Sequence, residues 1–466
     1  MSGMITALID HYRCPDDSAN VALQGRLSDD AGYFRFGQDT ICYGRSASGF
    51  LASRPDAALY DVFNDVITDG SSVLLPFDPS DLIDNLRLER YAKRFSLSAL
   101  NRWEQSLRSA YYALRPLMHV NVRKHVQRAH LNGWRNVVFP RWPVDTTVED
   151  LNERLLLLSM KAKGVDRIPF VWFWPDGAQS CVVMAHDVEE ESGRDFCTEL
   201  MNIDDSFGIR ASFQLVPEKR YKISTALVDA IRERGFEINI QDLNHDGHLF
   251  RDKKEFHRRV ERINRYGQFY AARGFRSAVL YRNQDWYRAL DFSFDMSVPN
   301  VARLDPQRGG CCTVMPYFIG DVLEIPLTTT QDYMLFHLLN DYSLDLWQMQ
   351  TAAIMEKSGL VTFLFHPDYV IEKRARSVYR ALLGFLDGLR SRERLWFALP
   401  GEVDEWWRQR SQMRVIQCNG LWRIEGVGAE RARLALARAA GNHLEYEIDA
   451  RSPAVESIKK VEFRAV

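Results

Sequence analysis

Two rhythms of apolar and polar positions divide the chain. From about residue 166 onward, short runs of β-branched and aromatic residues alternate with stretches in which apolar positions recur every three or four residues. The runs at 168–174, 180–184, 211–216, 237–240, 277–281, 292–296, 322–325, 361–365 and 396–399 predict strands. The stretches at 194–207, 224–234, 252–273 and 375–390 predict helices. Strands and helices in alternation imply βα units around a parallel sheet or barrel. In such folds chemistry gathers where strands end and loops begin.

The flanks read differently. Tyr33-Phe34-Arg35-Phe36 and Thr40-Ile41-Cys42-Tyr43 predict strands with glycine turns nearby. The stretch 80–133, rich in Leu, Arg, Ala and Tyr, reads as mostly helical, with Pro116 starting or kinking a helix. Pro140 and Pro143 break that pattern, and Thr146 or Thr147 is placed to cap the next helix. After residue 409, Leu421-Trp422-Arg423-Ile424 and 443–448 predict strands, with a helix near 429–440. Trp406 and Trp407 precede this tail and are expected to pack the junction. Three units follow: an α+β segment of open role at 1–165, an α/β barrel at 166–408 and a small β-rich appendage at 409–466.

Composition narrows the function classes. The chain has 466 residues, 46% apolar and 26% charged, an ordinary globular balance with room for two or three domains. A net charge of −2 and a pI near 6.6 give no field for nucleic acid. The local basic stripe Arg115, Arg123, Lys124 and Arg128 reads as a solvated helix face. No apolar run approaches the length of a membrane span, and the N-terminus lacks the basic start and apolar run of a signal peptide. The seven cysteines, an odd number without CxxC spacing, read as free thiols in a reducing, cytoplasmic setting, adjacent Cys311 and Cys312 included. No feature fixes an oligomeric state.

Three strand ends stand out. Cys181-Val182-Val183-Met184-Ala185 runs straight into His186-Asp187-Val188-Glu189. Charge at the end of a buried strand is costly unless it is paired or binds a cation, although these acids also suit the cap of the next helix. Glu237-Ile238-Asn239-Ile240 runs into Gln241, His245 and His248. Two histidines three apart can share one face of a turn and ligate a metal, with Asp242 or Asp246 orienting a ring; ordinary loop residues fit as well. The apolar run 360–365 ends in His366-Pro367-Asp368-Tyr369, where the histidine suits either a general acid or a hydrogen-bonded core residue.

Taken in this order, the three ends resemble the polysaccharide deacetylase family, the NodB homology or carbohydrate esterase family four, over residues 180–400. Asp187-Val188-Glu189 looks like the family's acidic pair; by that resemblance Asp187 is the general base and Glu189 a metal ligand. Gly235-Phe236-Glu237-Ile238 leads to Gln241 and His245, where the family carries two histidines four apart. His245 matches the second ligand, Gln241 stands in place of the first, and His248 is a candidate substitute. Gly274-Phe275-Arg276-Ser277 resembles the motif whose arginine holds the base, with Ala278 where proline is usual. Phe294-Asp295-Met296-Ser297 looks like the next acidic strand end, and Leu323-Glu324-Ile325-Pro326-Leu327 resembles bacterial members. Leu364-Phe365-His366-Pro367 fits the fifth motif, which makes His366 the general acid.

The resemblance implies a distorted (β/α) barrel of NodB type. It also implies a hydrolase that removes an N-acetyl group from a sugar or glycan with a divalent metal, zinc by family habit. An amide oxygen binds zinc more weakly than an imidazole does. Gln241 therefore keeps two alternatives open: a non-catalytic member that binds a glycan or partner through the same cleft, and a metal-independent hydrolase of small amides.

Overall fold

The computed structural model describes residues 6–92, 134–449 and 455–456. Of the helical stretch expected at 80–133, the start is seen as the helix Pro79–Arg87, capped by Asp78, whose carboxylate accepts from the Ser80 and Asp81 amides. Pro116 and the stripe Arg115, Arg123, Lys124 and Arg128 lie outside the described residues.

The first part of the chain holds β1 (Val21–Leu23), β2 (Gly32–Arg35), β3 (Ile41–Gly44), β4 (Ile67–Asp69) and β5 (Ser72–Leu75). β2 and β3 form an antiparallel pair, and β5 lies between β1 and β4. Phe34, Phe36 and Phe77 are fully buried beneath them. The helix Thr147–Lys163 follows Thr146 and ends at Gly164, whose left-handed conformation lets its amide turn back onto Lys161 and Met160 carbonyls.

β6 (Arg167–Val171) leaves this unit and is followed by β7 (Ser180–Val188), β8 (Ala211–Leu215), β9 (Glu237–Gln241), β10 (Gly274–Arg276), β11 (Phe294–Asp295), β12 (Tyr317–Ile319), β13 (Val322–Glu324), β14 (Leu360–Phe365) and β15 (Leu395–Phe397). From β7 onward these strands make one curled half-barrel in the order β12-β13-β11-β10-β9-β8-β7-β14, with β15 also on β7. Every pair is parallel except β12 with β13. β7 is the spine. One edge pairs with β14; the other pairs with β15 at Ser180–Val182 and with β8 from Met184 onward. Every residue of β7, β8 and β14 is buried, which is why β7 and β14 read as nearly continuous apolar runs; β8 buries the polar Ser212 and Gln214 as well. Val182, Met184, Phe363 and Phe365 pack outward against Leu200, Met201, Leu382 and Leu383 of the covering helices.

The two ends of the sheet are not joined by a backbone ladder. Threonine side chains sew the seam between 326–330 and β14. The Thr328 amide donates to Thr362 Oγ1 (2.7 Å), and the Thr362 amide donates back to Thr328 Oγ1 (2.9 Å). The hydroxyls then donate onward: Thr328 to the Leu360 carbonyl (2.7 Å), Thr362 to that of Pro326 (2.6 Å) and Thr329 to that of Thr362 (2.7 Å). All three threonines are buried, so each bond satisfies a group that water cannot reach.

The tail contains β16 (Arg414–Cys418), β17 (Leu421–Glu425), β18 (Leu434–Ala440), β19 (His443–Ile448) and β20 (Val455–Glu456). The helix expected near 429–440 is instead β18, a central strand between β6 and β19. Its alanines favour a helix locally, but pairing on both edges decides the outcome. The strand expected at 277–281 is also displaced. β10 ends at Arg276, and the chain turns off it through Val279 and Leu280, both at positive φ.

Two buried arginines tie these parts together. Arg282 pairs with both oxygens of Glu89, which also accepts from the Gly310 amide (2.6 Å). Arg410 has no carboxylate beside it among the described residues; it donates to the carbonyls of Trp172 (3.1 Å), Val171 (2.7 Å) and His11 (2.8 Å) and sits over the Phe173 and Trp407 rings. Burial pulls its pKa down to about 9. Trp406 and Trp407 are buried at this junction. The seven cysteines are all free, and no described helix is long and apolar enough to cross a membrane.

The threonine seam makes a sharp prediction. Thr362→Val keeps the shape but strands buried backbone groups, and should cost about 2 kcal/mol in a denaturant melt. Thr351 is equally buried, but its hydroxyl has no partner among the described residues. Thr351→Val should therefore be neutral within about 0.5 kcal/mol or stabilising. Equal losses in the two variants would contradict the seam.

Candidate active site

Alternation along β7 separates the neighbouring side chains His186 and Asp187. His186 faces the covering helices, where its Nε2 meets Asp204 Oδ2 (2.9 Å), and the Tyr379 hydroxyl donates to the other Asp204 oxygen (2.5 Å). Asp187, one residue on, points the opposite way into the barrel mouth. There it accepts from Gln241 Nε2 (3.0 Å) and lies 3.4 Å from Arg276 Nε. Glu189 follows just past the strand end. It accepts from the same Gln241 amide (3.2 Å) and lies 2.8 Å from His245 Nε2 and 3.3 Å from His366 Nε2.

His245 reaches this point because the loop after β9 folds back on itself. Asp242 and His245 both adopt positive φ, and Asp242 Oδ1 accepts from the Leu243 amide (2.6 Å). Arg220 Nη2 holds the His245 carbonyl (2.9 Å) while its Nη1 binds Glu190 (2.7 Å). His248 lies apart from the cluster. Its side chain is 42% exposed and 3.7 Å from Asp246, whose carboxylate is taken in two-pronged fashion by Arg259 (2.7 and 2.8 Å). Neither Asp242 nor Asp246 makes a hydrogen bond to the His245 ring.

His366 ends β14 and is held by a residue the sequence did not single out. Asp332 accepts from the His366 backbone amide (2.8 Å) and meets its Nδ1 (2.7 Å). Asp332 follows the threonine seam, so the same segment that closes the sheet delivers the histidine's partner. Its position after a polar run, Thr328-Thr329-Thr330-Gln331, carries no local signal of that role.

The electrostatics shift the titratable groups of the cluster in different directions. Burial pulls the His366 pKa down, but Asp332 and Glu189 outweigh it and raise it well above the ordinary imidazole value. Burial likewise works against the His245 cation, yet Glu189 raises it. Burial opposes the Glu189 carboxylate, but the two imidazoles together hold it well below the usual carboxylate range. Asp187 goes the other way: burial raises it, with Arg276 and His366 offsetting only part. A buried carboxylate that binds protons more readily than usual thus sits in one cluster with an imidazole that holds its proton tightly.

Asp187, Glu189 and His366 each place one ligand atom within 4.8 Å of the others. Asp187 Oδ1, Gln241 Oε1 and His245 Nε2 are buried and lack an aligned hydrogen-bond partner among the described residues. Close contact with Glu189 notwithstanding, His245 Nε2 is off the line that a hydrogen bond needs.

No protein-family model matches the chain, and no curated protein does. Solved structures do. A protein of Mycobacterium smegmatis described as a polysaccharide deacetylase is 17% identical, with a TM-score of 0.41, covering 51% of this chain and 93% of that one. PuuE allantoinase is 13% identical, with a TM-score of 0.38, over 50% and 92%. A family 4 acetyl xylan esterase of Clostridium thermocellum, in complex with a cobalt ion, is 14% identical, with a TM-score of 0.31, over 49% and 91%. The likeness is to polysaccharide deacetylases. At these identities and scores it carries no part of the functional argument, which rests on side-chain geometry.

The Asp332 contact can be tested directly. Asp332→Asn keeps a hydrogen-bond acceptor at His366 but removes the charge, so the His366 titration midpoint should fall in NMR of labelled imidazoles. An unchanged midpoint would remove Asp332 from the account.

Proposed function

We propose that this chain is an amide hydrolase of the deacetylase type, built on a NodB-like barrel, which removes an acetyl group from an N-acetylated sugar or glycan. The observation that supports it most is the pairing of Asp187 and His366 at neighbouring strand ends: burial raises the Asp187 pKa, and against burial Asp332 and Glu189 raise that of His366. A carboxylate that takes a proton readily beside an imidazole that keeps its own suits the base and the acid of a hydrolytic site.

Asp187 takes a proton from the attacking water. Gln241 donates to one oxygen of Asp187 and the Arg276 guanidinium lies 3.4 Å from the other, so the carboxylate is placed before the substrate arrives. His366, charged and fixed by Asp332, gives its proton to the leaving amine nitrogen. Burial keeps bulk water from competing for either proton.

The donor set fits a divalent cation, since ligand atoms of Asp187, Glu189 and His366 converge and three buried polar atoms lack an aligned partner among the described residues. Glu189 would hold it together with the converging Asp187 and His366 or with the adjoining His245, with zinc the ion expected; Gln241 turns its Nε2 rather than its oxygen to Glu189, and His248, exposed and turned to Asp246, is left out. Such an ion lowers the pKa of a bound water and polarises the amide carbonyl.

One observation favours a second reading. Gln241 Nε2 donates to Asp187 and Glu189 together, so a neutral amide already holds the two carboxylates side by side. On that reading hydrolysis proceeds without a metal.

Acetate release from a panel of N-acetylhexosamine mono- and oligosaccharides tests the function. The wild type should release acetate, and Asp187→Asn and His366→Ala should each lower kcat by about 10²–10⁴ with the fold intact. Loss on chelation with recovery on adding zinc marks the metal reading; full activity in metal-free protein marks the second. No acetate from any panel member, with tight sugar binding, would leave only a non-catalytic binding protein.

A further inference from the structure

Beside His366 the chain builds a group of rings that the acid–base machinery does not use. Tyr369 lies one turn beyond His366, its ring centroid 4.8 Å from the imidazole. His337 stands edge-on to Tyr369 at 4.5 Å, and Tyr333 lies 5.9 Å from Tyr369 and 5.5 Å from His337. All three are half-buried, unlike the fully enclosed rings of the core.

The backbone that presents them is unusual. Met334–Leu339 is a π-helical turn, ended by Asn340 in the left-handed conformation. Such turns are rare and are frequent at functional sites. Its inner side is anchored: Phe336 stacks on Tyr342 at 4.9 Å and packs near Trp347 at 6.1 Å, and Met334, Leu335 and Leu338 are buried. With that side fixed in the core, Tyr333 and His337 are left to meet Tyr369. The turn starts two residues after Asp332, the residue that fixes His366. One segment therefore positions both the acid and the rings.

We propose that Tyr369 and Tyr333 form a stacking subsite for the sugar ring that carries the leaving amine. The proposal rests on the hydrolase reading above and names the part of the substrate that sits beside His366. The acid must reach the amine nitrogen, and in an N-acetylated sugar that nitrogen is bonded directly to a ring carbon. The sugar ring consequently lies within van der Waals reach of whatever flanks the imidazole, and here that is Tyr369. A pyranose offers one face of C–H groups, which packs on an aromatic plane, and hydroxyls at its rim, which suit the polar tips of Tyr and His. The acetyl group then lies on the other side, towards Asp187 and Arg276.

Calorimetry with the N-acetylhexosamine panel, on protein carrying Asp187→Asn to prevent turnover, reads the subsite directly. Adding Tyr369→Leu should weaken binding about five- to tenfold, and Tyr333→Leu by a smaller factor in the same direction. Tyr369→Phe, which keeps the ring, should bind within about twofold of the parent. In the otherwise wild-type enzyme Tyr369→Leu should raise KM with kcat largely kept. Leucine variants that are folded by circular dichroism and bind as the parent does would overturn the subsite, as would a parent that binds no panel member. A Tyr369→Phe variant that binds as weakly as Tyr369→Leu would also overturn it. Sugar binding that depends on Tyr369 without any acetate release strikes only the hydrolase reading; acetate release indifferent to Tyr369 strikes only the subsite.

Discussion

A carboxylate that folding has taken out of water must find positive charge or hydrogen bonds, or it will not stay ionised. Glu189 lies at the barrel mouth under this constraint, and the site is arranged around meeting it. His245 arrives from the loop after β9, His366 from the end of β14, and the Gln241 amide from the end of β9 itself. They come from two strands, β9 with its loop and β14, because no single element can surround one side chain. The parallel half-barrel is the device that brings those strand ends to one place.

The same requirement propagates outward. His366 can answer Glu189 only if its own charge is sustained, and Asp332 does that through the ring and the backbone amide together. Asp332 in turn depends on the threonine seam, which fixes 326–330 against β14 without a ladder. Asp187 is held from the opposite side by Arg276 of β10, whose carbonyl also receives the Asp242 amide at the start of the His245 loop (2.8 Å). Closure of the sheet and polarisation of the site are thus one set of contacts.

Much of this was legible in the chain. The buried parallel strands β7 and β14 announce themselves as nearly continuous apolar runs, because both faces are covered, whereas β8 carries Ser212 and Gln214. Asp187, Glu189 and His366 stand out because charge ends such runs, His245 because of its spacing to His248, and Gln241 and Arg276 through the family resemblance. What was hidden depends on distance in space. Asp332 sits in a polar loop that resembles any other until β14 lies beside it. The π-helical turn at Met334–Leu339 has no sequence signature, and β18 is a strand only because β6 and β19 flank it. His248 has the spacing of a ligand, yet the fold of its loop turns it to Asp246 and solvent.

The pH dependence of kcat/KM for acetate release probes the account at its centre. If Asp187 must be unprotonated and His366 protonated, the wild-type profile is bell-shaped, with its acidic limb above the ordinary Asp value of 3.8 and its alkaline limb above 6.5. The residual rate of His366→Ala should keep the acidic limb and lose the alkaline one. An alkaline limb that persists in His366→Ala, or a wild-type rate that does not fall at either end, would contradict the assignment of base and acid.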